Sequence, residues 1–382
     1  KNLETLELGW NKISKIEGLN KNLETLELGW NKISKIEGLN ENLLTLDLSK
    51  NQIGNIEGLN ENLKILNLSE NQISNIKGLN ENLQTLYLGR NQISKIEGLN
   101  ENLQSLELSE NLINKINGLN KNLHTLNLFK NKINKLEGLN ENLKILDLRY
   151  NKIEKIENLN ENLLTLNLGS NQISKIEGLN ENLQNLHLSG NQISKIEKLP
   201  KNLVRLEIDN NKVSKIENLN SSLQELFLLS NDIEKIEGLN SNLKLLDLTN
   251  NQIGKLEGLN PFLEALYIRS NNITVLENLN NNLFFLDISD NRIHTITKLN
   301  SAIKILDLRE NKIESIVKLI PYLKKKKDPL KLIVSHELIF TTGSLIINLF
   351  ENPLTTPPME IVMKGNEAVI RYFEEKKKSK EV

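Results

Sequence analysis

The stretch ENLLTLDLSKNQIGNIEGLN, Glu41 to Asn60, decides the architecture. The same frame, xNLxxLxLxxNxIxxIxxLN, runs sixteen times through residues 1–320 with no insertion or deletion. Repeat position 6 is leucine in all sixteen turns, from Leu6 to Leu306, and position 11 is asparagine in all sixteen, from Asn11 to Asn311. A strict period this short means that each turn touches only its neighbours, so the chain grows in one dimension and overall length does not set a domain count.

The core LxxLxLxxNxI carries the leucine-rich-repeat signature. It implies a solenoid of the α/β horseshoe class, with parallel strands on a concave face, extended or single-turn 3-10 segments on the convex side, and a helical cap at the C-terminus. Each turn is expected to place a strand at about positions 5–8. Leu6 and Leu8 point inward there, while Thr5 and Glu7 point to the open face. About seventeen strands result, with almost no helix before residue 355. Twenty residues per turn leave too few for a convex helix.

Three further columns have mechanical readings. Where the chain turns out of the strand, buried backbone groups need partners, and a stacked asparagine amide supplies both donor and acceptor. The column represented by Asn91, Asn151, Asn211, Asn271 and Asn311 is therefore read as a structural ladder. Position 18 is glycine in ten turns and asparagine in three (Asn158, Asn218 and Asn278), as a left-handed turn demands. Lys198, Lys298 and Lys318 fill the other three, where a looser turn is expected. Lysine at position 15 in eleven turns and an acid at position 17 in twelve read as a charge-balanced, solvated face.

Function in such a scaffold sits on the open strand face. Position 7 is acidic in nine turns and never basic, which gives an acidic midline flanked by Lys50, Arg90, Lys130, Arg149, Arg205, Arg269 and Arg309. Aromatic and aliphatic residues gather in turns 12–15, and Trp10 and Trp30 lie in turns 1 and 2, which are identical in every residue. The candidate partner-binding residues are Phe227, Leu245, Asp247, Tyr267, Phe285, Asp287 and Asp307, with Leu229 and Phe284 beside them. Such a surface favours a basic protein partner.

Other chemistries are disfavoured. The net charge is −1, and an acidic midline repels phosphate, which argues against nucleic acid and against an anionic membrane. Cysteine is absent, which removes disulfides and thiol chemistry and favours a reducing, cytoplasmic location. His124 and His187 lie about three strands apart, roughly 14 Å, too far to share a metal. His294 and His336 stand apart from them. There is no GxxxxGK[ST] phosphate loop and no enclosed carboxylate pair, so neither enzymatic activity, a cofactor nor a small-molecule substrate is expected.

The frame stops after residue 320. An irregular insertion and a last strand are expected over 321–355, and a helical cap over 356–382. Ile347, Leu349, Asn352 and Leu354 restore the repeat spacing, and the basic run Lys324–Lys327 reads as a solvated loop. Pro357 and Pro358 open a short helix over 359–364, which Gly365 ends. Asn366 is expected to cap a second helix over 367–378, whose Val369, Ile370 and Phe373 share one face.

The segment NPLTTPPMEIVMKGNEAVIRYFEE, Asn352 to Glu375, resembles the stretch that closes the repeat domain of Roco proteins, and LIPYLKK before it is similar to that family's preceding insertion. The resemblance implies a regulatory, protein-binding repeat module followed by a Roc GTPase and a COR domain, with those domains as possible partners. The alternative is a free-standing adhesin or effector that binds a host protein through the concave face. The sequence starts inside a repeat, so a longer natural protein is expected.

Overall fold

The computed structural model describes residues 3–324, 330–335 and 345–379. It forms a solenoid of parallel strands and divides into two compact bodies, residues 1–192 and 193–382. The first carries ten three-residue strands, from Thr5–Glu7 to Asn185–His187, each in register with the next, as in Leu26↔Leu46 and Leu46↔Leu66. The strands cover positions 5–7, one residue shorter than expected. Position 8 still points inward, but its N–H already donates to the next turn, as Leu48 does to the Asn67 carbonyl (2.8 Å).

The core follows from the frame. Leu43, Leu46, Leu48 and Ile53 are fully buried and Ile56 nearly so, and the same five positions are buried in the turns that follow. Full burial of one such side chain stabilises by about 1.5–3 kcal/mol before entropy is counted. The convex segments are extended. Gln52 N–H donates to the Ile33 carbonyl of the turn before (2.9 Å), a bond repeated along the array.

The asparagines link turn to turn. Asn51 Oδ1 accepts from Ile33 N–H (2.9 Å), and its Nδ2 donates to the Leu28 and Leu48 carbonyls (3.0 and 3.1 Å). Two further ladders run at positions 20 and 2. Asn60 Nδ2 donates to the Asn40 and Leu43 carbonyls (2.6 and 3.0 Å), and Asn62 Nδ2 to the Glu41 carbonyl (2.8 Å). The position-20 ladder is incompletely satisfied: Oδ1 of Asn60, Asn80, Asn100, Asn140 and Asn220 is buried without a partner.

At position 18 all ten glycines have φ between 68° and 82°. The reason is close approach as well as handedness. A Cβ on Gly138 would stand 2.0 Å from the Ile116 carbonyl of the preceding turn. Asn218 adopts φ 57° and its Nδ2 donates to the equivalent Ile196 carbonyl (2.8 Å). Lys198, Lys298 and Lys318 are not left-handed.

The second body holds six repeat strands, from Arg205–Glu207 to Ile305–Asp307, and a minor parallel pair, Val275–Leu276 with Thr295–Ile296. Strand Leu345–Asn348 continues the sheet in register, with Leu306 opposite Ile347, and Ile347 and Leu349 are fully buried. Asn352 takes the ladder position: its Oδ1 accepts from Ile313 N–H (3.1 Å) and its Nδ2 donates to the Leu308 carbonyl (2.8 Å). That first bond spans 39 residues, where the regular rung spans 18, so its ends are separated by 21 residues more than in a regular turn. Within the expected insertion the structure places a strand, Leu330–Ile333, parallel to Leu345–Asn348. Of the basic run, Lys324 pairs with Glu374 (2.7 Å), while Lys325–Lys327 and His336 lie outside the described residues.

Helix α1 (Ile320–Leu323) opens the insertion, and α2 (Met359–Val362) and α3 (Asn366–Lys378) follow it. Val369 of α3 is fully buried, while Ile370 and Phe373 are half-buried. The cap differs from expectation. Gly365, φ 88°, precedes α3 and no side chain caps it, because Asn366 Oδ1 instead accepts from Leu332 N–H (3.2 Å).

Candidate functional site

The strand face of the second body brings most of the sequence-chosen residues together. At position 7 the column reads Phe227, Asp247, Tyr267, Asp287, Asp307 across successive strands, with Leu245 beside it at position 5. Strands stand about 4.8 Å apart, so aromatic and carboxylate groups alternate every 5 Å or so on a rigid backbone. Phe227, Leu245, Asp247, Tyr267 and Asp287 are half-buried. The Arg205 guanidinium lies 4.3 Å from the Phe227 ring centre and is tied to Glu207 and Glu225.

Two chosen residues do not belong to an accessible face. Phe285 is only 6% exposed: its ring packs on Tyr267 at 4.7 Å between centres, in the room left by Ala265, its partner on the adjacent strand. Asp307 has no exposure, and its carboxylate is clamped by Arg309 through Nε (2.9 Å) and Nη2 (2.5 Å). Phe284, at position 4, is 38% exposed.

The acidic midline has a local cause that the sequence reading missed. Position-7 side chains accept the N–H of position 9: Ser49 donates to Asp47 Oδ1 (2.7 Å), Ser69 to Asn67 Oδ1 (3.0 Å), Phe129 to Asn127 Oδ1 (2.9 Å) and Thr249 to Asp247 Oδ1 (2.8 Å). Aspartate and asparagine serve equally, so the demand at those turns is for an acceptor oxygen at the strand exit and not for charge. Burial pushes the Asp287 carboxyl above its ordinary range, and the neighbouring Asp307 adds to the rise, outweighing the bonds from Ser289. Burial, with Asp247 and Asp287 nearby, raises the Tyr267 hydroxyl.

Position 10 shares one backbone conformation. In the first body all of Trp10, Trp30, Lys50, Glu70, Arg90, Glu110, Lys130 and Tyr150 have φ between 50° and 59°. The left-handed conformation holds here without glycine and turns these side chains into a continuous rail along one edge. Its only sequence signal is the order of residue types down the column.

Beside α1 and α3 lies an open, largely apolar groove of about 640 Å³, floored by Val317, Ile320, Pro321 and Phe373. Among the described residues, no group of three or more carboxylates or imidazoles is placed to hold a metal ion, and no helix is long and apolar enough to cross a membrane.

The sequence itself matches family models for leucine-rich repeats at residues 61–101 (two copies), 19–35, 39–56, 139–155, 239–255 and 182–206. These turns are leucine-rich repeats. No curated protein matches the chain in sequence. Among solved structures it is similar to a leucine-rich-repeat protein of Leptospira interrogans, at 25% identity and TM-score 0.65, covering 85% of this chain and 88% of that one. It is similar to YopM of Yersinia enterocolitica at 21% identity and TM-score 0.57, covering 91% of each chain. The functional domain of InlJ from Listeria monocytogenes matches at 23% identity and TM-score 0.56, over 89% of this chain and 76% of that one. Leucine-rich-repeat solenoids of this kind are typical protein–protein interaction scaffolds.

Proposed function

We propose that this chain is a protein-binding module that takes a basic partner on the strand face of turns 12–15. The observation that carries this reading is the alternation Phe227–Asp247–Tyr267–Asp287 on adjacent strands, with Leu245 beside it. Aromatic faces attract guanidinium and ammonium groups, and the intervening carboxylates complement their charge. Phe285 packs against Tyr267 and Asp307 holds Arg309, so both contribute to this face through their neighbours. The sequence has no cysteine, which favours work in a reducing compartment such as the cytoplasm.

The finer reading is that the module belongs to a Roco-type protein and that its partner is the Roc–COR portion of that protein. The Asn352–Glu375 resemblance supports it, together with the apolar groove beside α1 and α3, next to which a following domain would lie. The coding sequence beyond Val382 tests it. A GxxxxGK[ST] motif within about fifty residues is the expected finding. An ending without one removes the Roco reading and leaves a free-standing adhesin or effector, while the face itself is tested by the binding measurements given in the Discussion.

A further inference from the structure

The position-10 rail of the first body is a charge pattern with its own symmetry. Trp10 and Trp30 stack at 3.9 Å, and the Lys50 ammonium sits 3.7 Å above the Trp30 ring. Lys50 then pairs with Glu70 (3.2 Å), Glu70 with Arg90 (3.5 Å), Arg90 with Glu110 (2.9 Å) and Glu110 with Lys130 (2.8 Å). Tyr150 closes the run, edge-on to Phe129 at 5.2 Å. In order the rail reads aromatic, aromatic, plus, minus, plus, minus, plus, aromatic. The intrachain pairs hold each charge in place, yet much of the rail faces solvent: the side chains of Arg90 and Lys130 are 57% and 60% exposed.

The geometry points to a second copy of this chain as the rail's partner, docked antiparallel across a two-fold axis that passes between Glu70 and Arg90. A two-fold contact is isologous, so residue pairs are fixed by the axis alone. Here Glu70 meets Arg90, Lys50 meets Glu110, Trp30 meets Lys130 and Trp10 meets Tyr150, each pair occurring twice. Every one of these is an attraction of opposite charge, cation with ring, or ring with ring. Moving the axis half a step onto Arg90 sets Arg90 on Arg90, Glu70 on Glu110 and Lys50 on Lys130, so every charged pair of that register is repulsive and only Trp30 against Tyr150 stays favourable. The position-9 column fits the same axis, with Gly29 facing Phe129 and Gly9 facing Arg149, small against large.

The contact is a narrow one. Eight columns at about 4.8 Å make a strip roughly 34 Å long. At one side chain's width, about 10 Å, it covers some 340 Å² per copy, well under the ~800 Å² of a stable complex. Lys12 facing Lys152 and Lys32 facing Lys132 at the two ends weaken it further. The association is therefore transient and concentration-dependent.

The chain has no cysteine, so engineered thiols report directly. Trp30→Cys and Lys130→Cys chains, mixed under mild oxidation, are expected to yield a disulfide-linked dimer that neither gives alone. In this register residue 30 faces residue 130 of the second copy, whereas like residues stand about five columns, roughly 24 Å, apart, beyond the ~7 Å limit for a disulfide. Lys50→Cys with Glu110→Cys provides the same test if the first pair folds poorly. In sedimentation, Arg90→Glu, which sets Glu on Glu twice at the centre, is expected to weaken self-association about tenfold or more. Cross-linking no greater in the mixtures than in single variants, unchanged association of a folded Arg90→Glu chain, or a monomer at every concentration each overturns the proposal.

Discussion

Replacing Asn151 with alanine isolates one rung of the position-11 ladder. Its Nδ2 donates to the carbonyls of Leu128 (2.9 Å), Leu148 (3.0 Å) and Arg149 (3.2 Å), and its Oδ1 accepts from Ile133 N–H (3.0 Å). Most of these groups keep a partner when the amide is removed. The Leu128 carbonyl still receives Asn131 (3.2 Å), the Leu148 carbonyl still receives Asn171 (2.9 Å), and the Arg149 carbonyl still receives Lys130 N–H (2.8 Å). The group left stranded is Ile133 N–H, in the buried core. One orphaned buried donor costs about 1–3 kcal/mol, or about 5- to 150-fold in a local opening equilibrium. Amide hydrogen exchange reads it directly. Ile133 and its neighbours in adjacent turns should exchange faster by that factor, with distant turns unchanged because coupling passes only between neighbours. Unchanged exchange at Ile133 together with an unchanged melting temperature would refute the accounting, and a uniform acceleration across the array would refute its locality.

Three other outcomes follow from the same geometry. Gly138→Ala should destabilise by more than the ~1–2 kcal/mol of a left-handed non-glycine residue, because its Cβ meets a carbonyl at 2.0 Å; Gly138→Asn should be milder, as the Asn218 bond to Ile196 indicates, and equal losses in thermal melts would contradict this. Asp287 carries a folded pKa above its unfolded value, so its favourable contribution exists below about pH 4 and is lost as pH rises through the folded value. Asp287→Asn keeps the acceptor for Ser289 and should melt at or above the parent at neutral pH, the difference vanishing in acid; a parent that gains on the variant with rising pH speaks against the burial argument. Alanine at Phe227 or Tyr267 should weaken binding of an arginine- and lysine-rich peptide by about 1–4 kcal/mol in calorimetry while the circular dichroism stays unchanged, and retained affinity in both variants would displace the proposed face.

The architecture was legible because the frame repeats its constraint sixteen times: Leu46, Leu48, Asn51 and Ile53 each mark a column, and each column has one mechanical solution. The asparagines at positions 20 and 2 carried the same kind of signal and were passed over, though Asn60 and Asn62 donate across turns as Asn51 does. Position 10 was less readable, since Trp30, Lys50 and Glu70 share no preference for left-handed backbone; neighbouring turns impose it. The site was legible only in outline. Parity sends Phe285 and Asp307 outward, but a large ring beside Ala265 lies down on Tyr267, and Arg309 folds back over Asp307. Both depend on what the adjacent strand offers, which no single turn reveals.

The cross-turn bonds of the regular array also fix how this protein can change in length. Each links residues at a constant offset between 17 and 23. Deleting one residue inside a turn breaks all of these offsets at once, whereas copying or removing a whole turn of twenty preserves every one. Size is therefore quantised in whole turns, of which residues 1–20 and 21–40 are identical in sequence. The segment between Ile313 and Asn352 is the permitted exception, because its extra residues leave the rung between those two residues intact. Variation among relatives of this chain should appear as whole turns gained or lost and as changes in that segment, and rarely as single-residue gaps within a turn.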